Sequence, residues 1–234
     1  MIALTTRRSV LLRAVPRLLP LAVAALCVPA HADDATHVGF ALTGGLSGIG
    51  ADLGVNLNDY VGLRASVADF SIKRSSNFGT SVSWDATLKL FQAGALVDLY
   101  PFAGAFRLSA GVIQDDNKFT LNGTPSGGTF TFNGTTYTAA QVGSAAASVN
   151  WSKTVPYLGL GWGNLAGSRG FHFTSDFGVL ITGSPNASVT ATCNLSTGCG
   201  NLTTDVAAEQ TKLRNDVHNL SFWPVFRLGV GYAF

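Results

Sequence analysis

The last nine residues, Phe226-Arg-Leu-Gly-Val-Gly-Tyr-Ala-Phe234, constrain the fold more than any other segment. Strand side chains alternate with a period of two. Phe226, Leu228, Val230, Tyr232 and Phe234 therefore share one face, and Arg227, Gly229, Gly231 and Ala233 share the other. A soluble barrel buries its bulky apolar face and shows polar groups to water. Here the face opposite the bulky groups carries glycine and a charge, which suits lipid outside and a small polar lumen inside.

The same alternation recurs along the chain. Apolar faces can be followed over residues 38–42, 49–57, 60–72, 84–99, 106–112, 150–162 and 171–181, and in the final segment from about residue 222. In the fourth segment the phase changes. Leu88 and Leu90 share one face, then Ala93, Ala95, Val97 and Leu99 the other, so a bulge is expected near Phe91-Gln92. The links at 58–59, 101–104 and 163–170 are short, as periplasmic turns are. Those at 73–83, 114–149 and 183–221 are long, as outer loops are; the link at 44–47 is the short exception. The expected fold is all-β: an eight-stranded antiparallel up-and-down transmembrane β-barrel with a short helix in the last outer loop. An even strand count leaves both termini in the periplasm. Two girdles of aromatics are expected, with Tyr60, Tyr100, Phe102, Trp162 and Phe234 below and Trp84, Trp151 and Trp223 above.

Two outer loops have patterns of their own. Asn133-Gly134, flanked by threonine, phenylalanine and tyrosine over 129–137, reads as a hairpin. Over 205–220, Val206, Leu213, Val217 and Leu220 fall at helical spacing, with acids early and bases late.

The N-terminus reads as an export signal covering residues 1–32. Arg7, Arg8, Arg13 and Arg17 precede an apolar stretch over 18–28 that is broken by Pro20. Ala30-His31-Ala32 is an A-x-A cleavage site. The stretch is well short of the roughly 20 residues a spanning helix needs. Cleavage would leave residues 33–234 as the barrel domain. It would remove four arginines and no acid, turning a net charge of +2 into −2. With no basic run left in the mature part, no nucleic-acid partner is expected. Charged residues are 12% of the chain, about half the soluble norm, which a lipid-facing surface explains. Cys193 and Cys199 form an even pair in an exported chain and read as a disulfide.

Inward positions collect Asp52, Asp98 and Asp176 with Arg64, Arg107 and Arg227, three charges of each sign; Lys89 joins them if the bulge exists. Unpaired charges in so narrow a barrel are costly, so these should pair across strands. They are expected either to close the lumen as a polar core or to line a narrow conduit.

Enzyme readings find little support. Thr43-Gly44-Gly45-Leu46-Ser47-Gly48-Ile49-Gly50 resembles the cofactor loop of short-chain dehydrogenases, but strand alternation follows it and no tyrosine has a lysine four residues later. His172-Phe-Thr174 faintly resembles the His-x-Ser of outer-membrane lipid A deacylases, with threonine in place of serine. His37 and His218 read as surface residues. No catalytic residue, metal ligand or cofactor is assigned.

The terminal strand ends in an aromatic residue and looks like the recognition strand that bacterial outer-membrane barrels present to the barrel-assembly machinery. Leu228, Val230, Tyr232 and Phe234 would carry that signal. Several motifs then occur in order: Asp115-Asp116-Asn117-Lys118-Phe119, Asn133-Gly134-Thr-Thr-Tyr137, Val155-Pro156-Tyr157-Leu158-Gly159, Gly183-Ser-Pro185, and Leu213-Arg214-Asn215-Asp216 followed by Pro224-Val225. Together they resemble the CarO-type outer-membrane proteins, the ornithine-uptake or carbapenem-associated barrels. The resemblance implies an eight-stranded monomer in the outer membrane of a Gram-negative bacterium. It also implies porin-like uptake of small basic or zwitterionic amino-acid-like solutes. The alternative expectation is a closed structural or adhesive barrel acting through its extracellular loops.

Overall fold

The computed structural model describes residues 38–76, 82–125, 127–196 and 198–234; the export signal at 1–32 and His37 lie outside these. Eight strands close into a ring. In ring order they are β1 (Val38–Gly45), β2 (Gly48–Asn58), β3 (Val61–Ser76), β4 (Val82–Leu99), β5 (Phe106–Asp115), β10 (Lys153–Trp162), β11 (Gly170–Ile181) and β13 (Phe222–Ala233), with β13 pairing back onto β1. All pairings are antiparallel. Closure leaves no sheet edge in lipid, where an unpaired backbone group would cost several kcal/mol.

The exterior is bulky and apolar. Phe173 is 83% exposed, Phe171 81% and Leu42 65%, and Leu53, Leu63, Val112, Leu158 and Leu228 also face out. Outward charges begin only above this band, at Asp69 on β3 and Lys89 on β4. The terminal residues Leu228, Val230 and Phe234 are exposed on the same surface, with Tyr232 half-buried against Phe171 and Phe234. At that end exposed Phe102 and Trp162 flank half-buried Phe106 in a second aromatic group.

Above the band the fold departs from a plain barrel. The region expected as one long outer link is itself folded into β6 (Lys118–Pro125), β7 (Thr129–Phe132), β8 (Thr135–Thr138) and β9 (Val142–Asn150), and β12 (Asn186–Cys193) follows β11. The upper half of β4 pairs with β6, then β9, then β12, so the barrel wall continues upward as a sheet. β7 and β8 form a hairpin at Asn133-Gly134. Both turn residues have positive φ, 49° and 83°, as a two-residue primed turn requires. Helix α1 (Leu202–Val217) starts slightly earlier than its spacing suggested and packs on β12. Phe130, Phe132, Tyr137, Val142, Val189 and Leu202 form a core between hairpin, sheet and helix. The outward unit is thus a cap with its own hydrophobic centre. Cys193 and Cys199 are joined as a disulfide beside it.

Four expectations need correction. β4 has no bulge: its register with β3 runs unbroken from Leu99 to Trp84. Leu88 and Leu90 face inward and Ala93 outward, because the strand leaves lipid and its apolar side then serves the cap. Lys89 consequently faces out and is not in the lumen. Trp84, Trp151 and Trp223, expected in an upper girdle, turn inward and do not form one. Trp151 is buried against Trp223 with ring centres 5.3 Å apart, and Trp84 packs edge-on to Phe130. Tyr100, expected in the lower girdle, is 2% exposed and so is interior. The sixth ring strand starts at Lys153, since Asn150 already belongs to β9.

Candidate functional site: the lumen charge network

Period-two alternation on β2, β3, β4, β5, β11 and β13 turns Asp52, Arg64, Asp98, Arg107, Asp176 and Arg227 toward the axis. All six are at most 6% exposed. Arg64 lies at the centre. Its Nε donates to Asp98 Oδ2 at 2.8 Å. Its Nη1 reaches Asp52 Oδ2 at 3.1 Å and Asp176 Oδ2 at 3.0 Å. Its Nη2 reaches Asp98 Oδ1 at 3.0 Å, Asp176 Oδ1 at 3.1 Å and Ser109 Oγ at 3.2 Å. One guanidinium thus ties five strands together across the barrel. Its planar fork of donors suits this, where a single ammonium would not.

Arg107 and Arg227 complete the set. Arg107 Nη2 donates to Asp176 Oδ1 and Thr174 Oγ1, each at 2.9 Å, and Nη1 donates to the carbonyl of Gly163. Arg227 Nη1 donates to Ser66 Oγ at 2.5 Å and Asp52 Oδ1 at 3.3 Å, and Nη2 donates to Asp176 Oδ2 at 3.3 Å. Asp176 and Arg227 are direct cross-strand partners. Asp176 therefore serves all three arginines. The six formal charges cancel, which is what makes their burial tolerable.

The layers on either side are also filled. Below the network, the β10–β11 connection folds into the barrel, and Leu165 and Ala166 are 4% and 1% exposed. Leu165 packs against Gly39, Gly54 and Gly231; a Cβ on Gly39 would stand 1.8 Å from the Leu165 carbonyl oxygen, and one on Gly231 2.8 Å from its Cδ1. Asn56 Nδ2 donates to Asn164 Oδ1 at 2.9 Å and tethers this connection. Above the network, Leu96, Ile113, Val155, Tyr157, Leu180 and Val225 form an apolar layer. Between the two lies a cavity of about 10 Å³, lined by Ser66, Gln92, Tyr157 and Arg227 among others, at the lower limit for one water molecule.

The sequence pattern placed the six charges on the inner face. It did not assign the neutral partners Ser66, Ser109 and Thr174, although each occupies an inward position. It missed Leu165 altogether, because 163–170 read as a plain turn; a leucine in that turn was the available signal. Thr43 to Gly50 forms the tight β1–β2 turn and the start of a strand, with no helix. His172 lies near the rim opposite the cap, with its ring nitrogen against the Ser168 carbonyl, and His218 caps α1 at the surface.

A closed antiparallel ring, a greasy exterior and an enclosed ionic core define a small β-barrel of the outer-membrane type. No family model and no curated protein matches the chain. Among solved structures, CarO2 of Acinetobacter baumannii matches with a TM-score of 0.56 and 21% identity, over 86% of this chain and all of that one. CarO of the same organism matches with a TM-score of 0.55 and 21% identity, over 84% of this chain and 97% of that one. The likeness establishes a shared fold.

Proposed function

We propose that this protein is a monomeric outer-membrane barrel that stays closed and acts through its outward cap, as a structural or adhesive element. The observation that supports this most is the arginine at the centre. Arg64 binds carboxylates on three other strands, with an apolar layer above it and Leu165 below. Opening a path would separate several buried ion pairs at once, each costly to leave unpaired. The aromatic-ended β13 supports delivery to the membrane by the barrel-assembly machinery. The test is reconstitution into liposomes with ornithine, arginine, glycine and an anionic control. Flux no greater than through protein-free liposomes is expected; saturable entry of any of these solutes overturns the closed reading.

A second reading is porin-like passage of small basic or zwitterionic amino-acid-like solutes. The CarO-type resemblance favours it, and so does one observation: the lumen offers carboxylates and guanidiniums in equal number, the groups that would pair with an ammonium and a carboxylate. On this reading ornithine flux is present in the wild type and lost in Asp176→Asn.

A further inference from the structure

The ring is not level along its outer rim. β1 and β2 turn over at Gly45 and Gly48, and pairing on either side stops there. The last partners are Arg227 opposite Gly45 on one flank and Asp69 opposite Ile49 on the other. Both neighbouring strands run on. β13 extends up to Phe222 paired with β11 alone, and β3 extends to Ser76 paired with β4 alone. Among the described residues no strand lies between these two edges. Strands stand about 4.8 Å apart, so the two that end early leave a notch about 14 Å across in the wall.

Inside the notch is the inner face of the cap sheet. Ile72, Leu88, Phe119, Val149 and Ala187 are opposed in turn on β3, β4, β6, β9 and β12, so they form one row. The far end of the row is covered. Val149 is 8% and Ala187 3% exposed, with Leu213, Val217 and Trp223 packed against them. The near end is open. Ile72 is 42% and Phe119 39% exposed, and Phe70, on the same face of β3, is 39% exposed. Above Ala68, the one charged residue on this face of β3, β4 and β6 is Arg74, near the tip. A contiguous apolar face left open in this way marks a binding surface.

What adjoins that surface selects its occupant. The sill of the notch is Leu46, exposed to the outside and held by its N–H to the Phe226 carbonyl. Exposed Ile49 and Leu42 stand below it on the lipid-facing wall. Residues 44–49 carry no charge. Phe70 rests directly on the hairpin: a Cβ on Gly48 would stand 2.5 Å from the Phe70 Cβ. Asp69 points out of β3 and away from this path. Apolar surface thus leads from the wall, over the hairpin, to the open row. We infer that the notch admits an acyl chain of an outer-leaflet lipid, which bends over Leu46 and lies on Phe70, Ile72, Leu88 and Phe119. This rests on the outer-membrane reading with the cap facing outward. The gain is the apolar area that the chain and these side chains remove from water. The chain lies above the layer of Leu96 and Leu180, so the lumen beneath stays shut.

The test places the whole folded protein in lipid nanodiscs holding a trace of phospholipid with a photoactivatable diazirine midway along one acyl chain. Adducts formed on illumination are mapped by mass spectrometry. The outer wall is the internal standard, with adducts expected at Leu53, Leu158 or Leu228 whenever the barrel sits in lipid. The wild type is expected to carry adducts at Phe70, Ile72 or Phe119 as well. In the double variant Ile72→Asn, Phe119→Asn, adducts inside the notch should fall about tenfold while those on the wall stay unchanged. Both side chains are exposed, so the folded band on gels should persist. Wall adducts with none inside the notch overturn the inference and leave the membrane reading standing. Absence of wall adducts overturns that reading and the inference with it. A folded double variant labelled inside the notch as strongly as the wild type also overturns the inference.

Discussion

Arg64 and Asp176 are 112 positions apart in the chain, yet Arg64 donates to both carboxylate oxygens of Asp176, at 3.0 and 3.1 Å. This contact spans the lumen between β3 and β11, which are not neighbours in the ring. It pins opposite walls together, a task the hydrogen-bond ladders cannot perform because they join only adjacent strands.

Asp176 accepts from three arginines, while Asp52 accepts from two. Asp176→Asn leaves a buried excess of positive charge and should destabilise the barrel by about 3–5 kcal/mol. Asp52→Asn should cost less. Urea unfolding in detergent, followed by the loss of the fast-migrating folded band on gels, measures both. A smaller effect at Asp176 than at Asp52 would contradict the shared-carboxylate geometry.

Leu165 fills the end of the barrel opposite the cap. Leu165→Ala should destabilise the fold by about 2–5 kcal/mol through the cavity it leaves. It should not raise conductance in planar bilayers, because the ion network above is untouched. Gly39→Ala should be worse for assembly than its one methyl suggests, since that methyl meets backbone and no flexible side chain can yield. The folded fraction recovered from membranes measures this second effect.

Tyr137 Oη donates to Asp205 Oδ2 at 2.6 Å, and Asn133 Nδ2 donates to Oδ1 at 3.3 Å, so the hairpin is fastened to α1. The bond from Tyr137, more than any other cause, holds the Asp205 carboxyl below its ordinary value of 3.8. The same bond, helped by burial, pushes the Tyr137 phenol up to about 12. A lowered acid stabilises the folded cap above the unfolded value and loses that contribution as pH falls through the folded one. A raised phenol stabilises below its unfolded value near 10 and loses it as pH rises through about 12. Protease resistance of the cap should therefore be flat between pH 5 and 9, and fall below about pH 4. In Asp205→Asn the acid-side fall should be reduced.

The Cys193–Cys199 bond closes a loop of six residues' separation beside the cap core. So short a loop constrains the unfolded chain modestly, by about 2 kcal/mol. Reduction should speed proteolysis around 193–199 and leave the heat-stable barrel band on gels unchanged, because the ring contains neither cysteine.

The ring was legible because lipid outside and charge inside give strong contrast at every second residue. Arg107, Asp176 and Arg227 stood out against glycine and serine on one face. The cap was less legible. β9 includes Ser144-Ala-Ala-Ala-Ser148, which gives small residues to both faces and so carries no period. β4 shows the deeper difficulty. An unchanged zigzag passes from hydrocarbon into a folded cap, and the side that must be apolar switches. Alternation reports what surrounds a strand, and at Leu88 and Leu90 a change of surroundings imitated a change of geometry. Leu165 was hidden for a related reason: turns are usually wet, and this one is a stopper.

Val82–Leu99 is one unbroken run of 18 residues, shared by wall and cap. The two parts therefore behave as a mast and its deck, with no hinge along that beam. A tug on the outermost tip inclines the whole barrel within the bilayer before it swings anything aside.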